Sequence, residues 1–411
     1  MAPVRALLID LFVSWRNVLR HRRRSLAGMA AVTFGTAALI LAAGFIEWIY
    51  LAMREGTIHA GLGHLQVMRS GYAEHGTADP FGYLLPQDAA ERKVIEASPH
   101  VLQVAARLKF TGLIGLRDAS LSFLGEGRDP EREVGGEDAL IIEKGAALSN
   151  AAPSGVLLGQ GLAANLGAQV GDTVVLLVNK RGGALGGLDV TVRGIFSTQT
   201  KAYDDVALQV PFALANELLQ AGGAHTWVVY LDETRNTPAV LGDLKTRLTG
   251  DLALLPWYEM ADFYNKTVAL FSRQVLVMKL IIALVVILSI SNTMMMTVME
   301  RTDEIATSMA LGVRRKRVLS RFLFEGFLIG VVGAIVGLAL GYAAAAAISR
   351  IGIPMPAPPG MARGYVGQIL VTHALVWNAL AIAVATSLVA SAYPAWTASR
   401  MVIAEALRHG R

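Results

Sequence analysis

The chain has 411 residues, of which 54% are hydrophobic, and it carries a formal net charge of +5 with no cysteine. Without cysteine it can form no disulfide, thiolate nucleophile or cysteine-ligated metal site. A mean hydropathy of +0.47 is high for a soluble protein. The basic residues cluster beside long apolar stretches and do not alternate with aromatic residues on a polar surface, which argues against nucleic-acid binding.

Four apolar stretches dominate the sequence, one near its start and three close together after residue 270. They cover residues 26–50, 271–299, 322–348 and 371–396. At 1.5 Å per residue, each is long enough as a helix to cross about 30 Å of hydrocarbon. We therefore predict four transmembrane helices. The alternative for the first stretch is a cleaved signal peptide, but its apolar core is longer than the roughly 7–15 residues of a signal-peptide core.

The basic residues that flank these stretches predict the orientation. Arginine-rich segments precede the first helix, separate the second from the third and follow the fourth: 1–25, 300–321 and 397–411. The only basic residues in the loop over 349–370 are Arg350 and Arg363. Because cytoplasmic loops carry the excess of lysine and arginine, we expect a multi-pass protein of the inner (cytoplasmic) membrane. Both termini are then cytoplasmic, and residues 51–270 lie on the outer side.

Residues 51–270 are expected to form a large α+β extracytoplasmic domain inserted between transmembrane helices 1 and 2. Apolar and β-branched runs predict strands at 63–68, 156–159, 173–178, 190–196 and 226–231. Helices are predicted over 88–97 and 237–248, and a glycine-rich loop over Arg181–Gly187. Residues 106–220 are predicted to form a subdomain inserted into a second one. Residues 258–275 are expected to continue into the second membrane helix as an unbroken stalk.

The sequence contains no common motif for catalysis or for binding a cofactor. It has no Gly-x-x-x-x-Gly-Lys-Ser/Thr phosphate loop, no Gly-x-Ser-x-Gly elbow and no His-Glu-x-x-His zinc motif. His59 and His64 are five residues apart, but no third ligand is nearby in the sequence. We therefore predict that this chain has no catalytic residue, binds no metal or cofactor, and is not an enzyme by itself.

The segment between the second and third apolar stretches predicts a short cytoplasmic helix. Asp303 and Glu304 suit the first turn of a helix, and Ile305 and Met309 have helical spacing. Gly312 can adopt the left-handed conformation that often ends a helix. Such a helix is either a connector held at the lipid surface by its arginines or a site where another protein docks.

This segment also carries a family pattern. Asn292, Thr293, Val298, Glu300, Arg301, Glu304, Ile305, Ala310, Leu311 and Gly312 match, as they stand, the FtsX-like permease domain of ABC transporters, which the segment resembles. It departs from the pattern at Ala306 and Met309, where the family usually has glycine and arginine. The resemblance implies that the matching residues from Glu300 to Gly312 couple the chain to a separate cytoplasmic ATPase dimer. That partner would bind the ATP and Mg²⁺.

A second resemblance to the same family lies near the C-terminus, over residues 394–408. Pro394, Glu405, Leu407 and Arg408 match the ending of the family at the same spacing. The departures are Trp396, Thr397, Val402 and Ile403, the last two replacing Asp-Pro. The resemblance implies the same cytoplasmic element with different local contacts.

The outward domain resembles MacB-type periplasmic domains through Val156–Gly159, Leu162–Gly167 and Val170–Val174, and lipoprotein-release permeases through Val192–Ser197 and Asp205–Pro211. These resemblances imply a permease subunit that pairs with a second permease subunit, identical or different, and passes ATP-driven motion to the outward domain. The implied cargo is a lipoprotein or another amphipathic compound, taken from the membrane lipids at the outer face. By their position, Phe45, Trp48 and Met278 are expected to line a cargo cavity.

Other functions stay open at this point. One is efflux of macrolides or peptides with a periplasmic partner, and another is transmembrane signalling by an FtsX-like subunit that controls an extracytoplasmic enzyme. A third is a membrane receptor that needs no ATPase.

The third apolar stretch adds two expectations. Its glycines, at 326, 330, 333, 337 and 341, predict close helix packing, with a hinge as the alternative. Glu325 is expected to reach the interface or a nearby arginine, with gating as the alternative.

Overall fold

The computed structural model describes residues 22–76, 78–133, 140–198, 200–248, 250–355 and 365–402. The chain divides into two compact units. One, the helical unit, comprises the described parts of residues 1–51, 267–354 and 366–411. The other, the sheet unit, comprises the described parts of residues 52–266 and 355–365.

The helices are α1 (Arg22–Thr57), α2 (Tyr72–His75), α3 (Ala90–Glu96), α4 (Gln160–Leu166), α5 (Lys201–Asp204), α6 (Phe212–Leu219), α7 (Thr237–Arg247), α8 (Trp257–Met260), α9 (Asp262–Glu300), α10 (Thr302–Ala310), α11 (Arg315–Ile351) and α12 (His373–Ser399). The strands are β1 (Leu65–Arg69), β2 (Leu85–Pro86), β3 (Val101–Leu116), β4 (Ala119–Arg128), β5 (Ile141–Gly145), β6 (Gly155–Gly159), β7 (Thr173–Asn179), β8 (Leu185–Ser197), β9 (Ala207–Pro211), β10 (Gly223–Ala224), β11 (Thr226–Leu231), β12 (Leu252–Pro256), β13 (Ile353–Met355) and β14 (Tyr365–Gly367). A π-helical turn, Ile58–Leu62, follows α1, and a 3₁₀ turn, Thr234–Asn236, precedes α7.

Four helices, α1, α9, α11 and α12, are long and apolar enough to cross a membrane. Three of them contain a whole apolar stretch and extend well past it, and α12 begins two residues inside the fourth stretch. The helix α9, for example, begins at Asp262 and runs without a break to Glu300. Polar residues at the ends continue the helix because backbone hydrogen bonds form there independently of the hydrophobic stretch.

Glycines of α11 bring α1 and α12 into close contact with it. A Cβ placed on Gly337 would lie 2.5 Å from the carbonyl oxygen of Thr33 on α1, and one on Gly330 would lie 2.7 Å from Cβ of Ser387 on α12. The Thr33 hydroxyl donates a hydrogen bond of 3.1 Å to the carbonyl of Gly333. The glycine spacing therefore serves close helix packing, as the sequence predicts.

The sheet unit is built on a ten-stranded mixed sheet in the order β12-β1-β11-β3-β4-β9-β6-β8-β5, with β7 pairing β3 and β8. The pairs β4–β9 and β6–β8 are parallel, and the others in this sheet are antiparallel. Two main apolar clusters pack against the sheet. One draws its buried residues from Leu108 to Ala221. The other combines residues 65–106 with residues 224–244. Strands of this one sheet contribute residues to both clusters.

Two local predictions are wrong. The glycine-rich loop predicted over Arg181–Gly187 is shorter, because the Lys180 amide bonds the Ala184 carbonyl at 2.9 Å and strand β8 begins at Leu185. The stalk predicted over 258–275 is not a single helix. Ala261 leaves helical geometry, with φ −92° and ψ 56°, and it separates the one-turn helix α8 from α9.

Candidate functional site

The short helix α10 follows α9 after a sharp turn at Arg301. Arg301 is not helical, with φ −102° and ψ 15°, and the Thr302 hydroxyl lies 2.8 Å from the Met299 carbonyl, to which it donates. Asp303 and Glu304 occupy the first turn of α10, where carboxylates are favoured by the helix dipole. The turn therefore ends the long helix α9 and separates it from the short helix α10.

One face of α10 is buried within the helical unit. Ile305, Ala306 and Met309 have only 7%, 0% and 8% of their surface exposed. Ile305 and Met309 belong to an apolar cluster shared by five helices, with buried members that include Val32 on α1, Val298 on α9, Val318 and Phe322 on α11, and Ala395 and Ala398 on α12. Met309, where the family has arginine, thus fills an apolar position in this chain. The packing fixes which face of α10 stays outside.

The end of α10 exposes an apolar side chain. The Gly312 amide bonds the Met309 carbonyl at 3.0 Å, and the Val313 amide bonds the Ser308 carbonyl at 3.1 Å. Gly312 has φ +95°, which glycine adopts without strain. This pair of bonds is the Schellman motif, and it leaves Leu311 with 83% of its surface exposed.

The outer surface of α10 therefore combines acidic, polar and apolar groups. Its exposed residues are Asp303, Glu304, Thr307, Ala310 and Leu311, and we call them the exposed face of α10. Gly312 and the basic residues Arg314–Arg317 follow at once and are exposed as well. A small, rigid face with a protruding leucine among charges suits contact with another protein, because burying a leucine stabilises an interface by about 1.5–3 kcal/mol.

Arg301 ties α10 to α11. Its guanidinium lies 3.3 Å from the Glu304 carboxylate and 3.8 Å from that of Glu325. It also lies 5.9 Å from the centre of the Phe322 ring. The arginine that Glu325 reaches is therefore Arg301. Phe322 was missed by the sequence analysis, although it stands three residues before Glu325 and hence on the same helix face.

The remaining predicted site residues are Glu300, which belongs to the predicted coupling set, and the residues of the C-terminal cytoplasmic motif. Glu300, the last residue of α9, is exposed. Pro394 is buried within α12, which continues to Ser399, and the Arg400 guanidinium lies 4.9 Å from the centre of the Trp396 ring. Glu405, Leu407 and Arg408 lie outside the described residues. A coupling role for Glu300 stays a prediction, and so does the C-terminal cytoplasmic motif.

The three predicted cavity residues occupy different surroundings. Phe45 on α1 packs near Gly367, where a Cβ would lie 2.8 Å from its ring. Met278 on α9 packs against an apolar cluster that includes Leu39 and Leu375. Trp48 is half-buried on α1. A cargo cavity formed by these residues stays a prediction.

His59 and His64, considered as metal ligands in the sequence, lie with ring centres 6.0 Å apart. His64 accepts a hydrogen bond from the Leu231 amide on Nδ1 at 3.1 Å, and its Nε2 lies 3.2 Å from the Thr234 hydroxyl. Both ring nitrogens are thus engaged by protein groups. Within the described ranges, no group of three or more histidine, aspartate or glutamate side chains is arranged to hold a metal ion.

Two family models match the chain. Residues 25–247, more than half of it, match the MacB-like periplasmic core domain, and residues 276–403 match the FtsX-like permease C-terminal domain. The second match contains residues 276–300 of α9 and all of α10 and α11.

Curated relatives agree with the family models. The lipoprotein-releasing system transmembrane protein LolC of Xylella fastidiosa is 27% identical over 62% of this chain and 64% of its own length. LolE of Haemophilus influenzae is 23% identical over 96% of this chain and 98% of its own length. The macrolide export ATP-binding/permease protein MacB of Syntrophobacter fumaroxidans is 31% identical over 39% of this chain, which spans 20% of that relative. The chain therefore belongs to the FtsX/MacB family of ABC transporter permeases, with a MacB-like periplasmic core domain followed by an FtsX-like C-terminal domain.

Proposed function

We propose that this chain is the membrane subunit that couples a separate cytoplasmic ABC ATPase dimer to work on lipid-anchored or amphipathic cargo at the outer face of the inner membrane. One observation carries the proposal. The helix α10 is held on one face by buried Ile305, Ala306 and Met309, while Leu311 protrudes with 83% of its surface exposed. A docking helix needs both properties, because a rigid seat transmits force and an exposed apolar group binds the partner.

The arginine-rich segments 1–25, 300–321 and 397–411 support the orientation in this proposal, with α10 and both termini in the cytoplasm. The sheet unit is then periplasmic, inserted in the chain between α1 and α9. The ATP and Mg²⁺ belong to the partner, and this chain contributes no catalytic residue.

Motion passes along the long helices in this proposal. The helix α9 has 39 residues without a break, or about 58 Å at 1.5 Å per residue. A single residue separates the end of α9 from the start of α10, so a displacement of α10 acts directly on the end of α9. Apolar residues of α9 such as Leu276, Leu280 and Leu284 are more than half exposed, and they would face lipid or a second permease subunit.

The lipoprotein cargo is proposed because the LolE relative aligns over 98% of its length. Phe45, Trp48 and Met278 are proposed as contacts for the acyl chains. Efflux of macrolides or peptides and FtsX-like signalling to an extracytoplasmic enzyme are the alternatives. Deletion of the gene separates them: mislocalised lipoproteins support the proposal, whereas drug sensitivity supports efflux and cell chaining or lysis supports signalling.

The docking step is tested by affinity purification of the tagged chain from its own host in mild detergent. We expect a stoichiometric ATPase with Walker motifs to copurify with the unaltered chain. Leu311→Arg should weaken its binding about 10- to 150-fold, since it removes an exposed leucine whose burial in the interface is worth about 1.5–3 kcal/mol.

Leu185→Arg is the matched control, because Leu185 is 70% exposed on β8 of the sheet unit. It introduces the same side chain without touching α10, and it should leave the ATPase bound. Recovery of the unaltered chain without any ATPase would refute the proposal and favour a receptor.

A further inference from the structure

Four charged side chains are grouped in the sheet unit, and we call them the ionic cluster: Arg107 on β3 and Glu126 on β4, which are buried, and Arg128 on β4 and Glu133 beyond β4, whose side chains are 13% exposed. Arg107 and Glu126 are only 3% and 6% exposed. Taking charged groups out of water costs several kcal/mol for each ion. A cluster of this kind therefore needs a reason beyond stability.

The geometry of the cluster centres on Arg107. Its guanidinium bonds both oxygens of Glu133, with Nε to Oε1 at 2.7 Å and Nη2 to Oε2 at 2.6 Å. The Tyr230 hydroxyl on β11 accepts from Arg107 Nη2 at 2.9 Å and donates to Glu133 at 2.8 Å. Arg128 and Glu126 form a second pair at 2.7 Å. Arg107 is thus held from three sides in one orientation.

The two arginines face each other directly in the β3–β4 pairing. Like charges in that position repel, and the two glutamates compensate for them. Burial alone raises the pKa of Glu126, but the guanidinium groups of Arg128 and Arg107 lower it to about 2. At neutral pH the cluster therefore holds two cations and two carboxylates without net charge.

One donor of Arg107 leaves the cluster. Its Nη1 donates a hydrogen bond to the backbone carbonyl of Gly61, in the π-helical turn Ile58–Leu62 that ends the first long helix. The last carbonyls of a helix have no partner within it and carry partial negative charge. An arginine is the side chain best suited to cap such a carbonyl from a distance.

Further bonds hold the same turn. The Gly63 amide bonds the Ile58 carbonyl at 2.8 Å, and the Gln66 side-chain amide on β1 donates to the Leu62 carbonyl at 3.0 Å. Arg128 comes close as well, with Nη2 3.8 Å from the position of a Cβ on Gly61, but of these two arginines it is Arg107 that donates to the Gly61 carbonyl. The sheet unit thus holds the end of the helix through a few specific hydrogen-bond donors.

We propose that Arg107 is a positioning residue that clamps the end of the first long helix to the central strands, and that the ionic cluster serves to aim its guanidinium at Gly61. The role of the clamp in transport rests on the proposed function. In the transport cycle, the clamp passes movement of that helix into β3 and β11. Hydrophobic replacement of the cluster would preserve the sheet but would offer no donor to the helix end.

Hydrogen–deuterium exchange of the full-length chain in lipid nanodiscs tests the clamp without relying on activity. Arg107→Lys keeps the positive charge but cannot hold Glu133, Tyr230 and Gly61 together. We expect peptides covering residues 58–63 to exchange about tenfold faster or more, while β7 and β8 keep their protection.

Arg128→Lys is the matched control, because it disturbs the same cluster and leaves the bond to Gly61 in place. It should change exchange at residues 58–63 less than threefold. Equal acceleration in the two variants, or no acceleration in either, overturns the proposal. If Arg107→Lys does not fold, Tyr230→Phe removes one hydroxyl without changing shape. It should then accelerate exchange at 58–63 about threefold, and unchanged exchange overturns the proposal.

A second readout separates this inference from the proposed function. Arg107→Lys should still copurify with the ATPase and hydrolyse ATP but should release cargo at a reduced rate, whereas unchanged release overturns the transmission step. An unaltered chain that binds no ATPase refutes the proposed function and leaves the exchange experiment on the clamp unaffected.

Discussion

Replacing Gly337 with alanine should force α11 away from α1. The added Cβ would lie 2.5 Å from the Thr33 carbonyl oxygen and 2.8 Å from Cβ of Thr36. Both neighbours are backbone or β-carbon atoms of α1, so they cannot rotate away. The helices must separate, and other contacts between them are lost with that movement.

The magnitude follows from a comparison with Gly28→Ala. A Cβ on Gly28 would meet Cγ2 of Ile329 at 3.6 Å, an ordinary contact. Both glycines stand inside helices, so the gain of about 1 kcal/mol in helix propensity is common to both variants. Their difference isolates the clash, which at about 1–3 kcal/mol corresponds to a difference of roughly 2–12 °C in melting temperature.

The assay is thermal unfolding of both variants in the same detergent, followed by intrinsic fluorescence. Gly337→Ala should melt below Gly28→Ala by that margin. Equal melting temperatures, or a higher one for Gly337→Ala, would refute the inference that glycine is required for the close approach of α1 and α11.

Three further predictions concern the protonation of two histidines and the packing of α10 in the helical unit. Burial lowers the pKa of His64 and of His225 to about 4. The stability that the neutral histidines contribute above pH 6.5 is therefore lost as the pH falls from 6.5 towards 4. The melting temperature of the sheet unit should then be lower at pH 5.0 than at pH 7.5. Glu325→Gln removes an ion pair with Arg301, so hydrogen exchange in α10 should accelerate severalfold while the ATPase still binds. Ile305→Ala should destabilise the helical unit by about 2–4 kcal/mol, seen as a lower melting temperature, because the side chain is 7% exposed.

Each of these has its own control. Glu304→Gln removes the more exposed partner of Arg301 and should have little effect, since exposed ion pairs contribute about 0–1 kcal/mol. Thr307→Ala on the exposed face of α10 should leave the melting temperature nearly unchanged. For the histidines, a melting temperature that stays constant from pH 7.5 to pH 5.0 would contradict the argument.

The long helices and α10 could be predicted from the sequence because their signals are local. Apolar runs of membrane length mark the helices, and Asp303, Glu304 and Gly312 mark the two ends of α10. Strand β3 could not be predicted in this way. Its residues 104–108 are all buried, so the alternation typical of a strand is absent, and the run includes the charged Arg107.

The contacts of the candidate site could be predicted only in part. The sequence indicates that Glu325 needs a partner, because a carboxylate in an apolar helix is costly. It does not indicate that Met309 fills an apolar cluster at a position where the FtsX-like pattern usually has arginine, since the surrounding residues come from other helices, among them α9, α11 and α12. Partners that distant in the sequence depend on the tertiary fold.

The strand order of the sheet unit also bears on biosynthesis. Strand β1 lies between β11 and β12, so Met68 pairs with Thr226 and Arg69 with Leu252. When the ribosome has made residues up to Ala221, every buried member of the cluster from Leu108 to Ala221 already exists, but β1 has neither of its neighbours. That cluster can therefore condense first, while Leu65–Arg69 waits as an open strand edge beside a helix already destined for the bilayer. Completion of β12 closes that edge, because β12 pairs with β1 from Leu65 to Arg69, and until then the open edge exposes the nascent chain to aggregation.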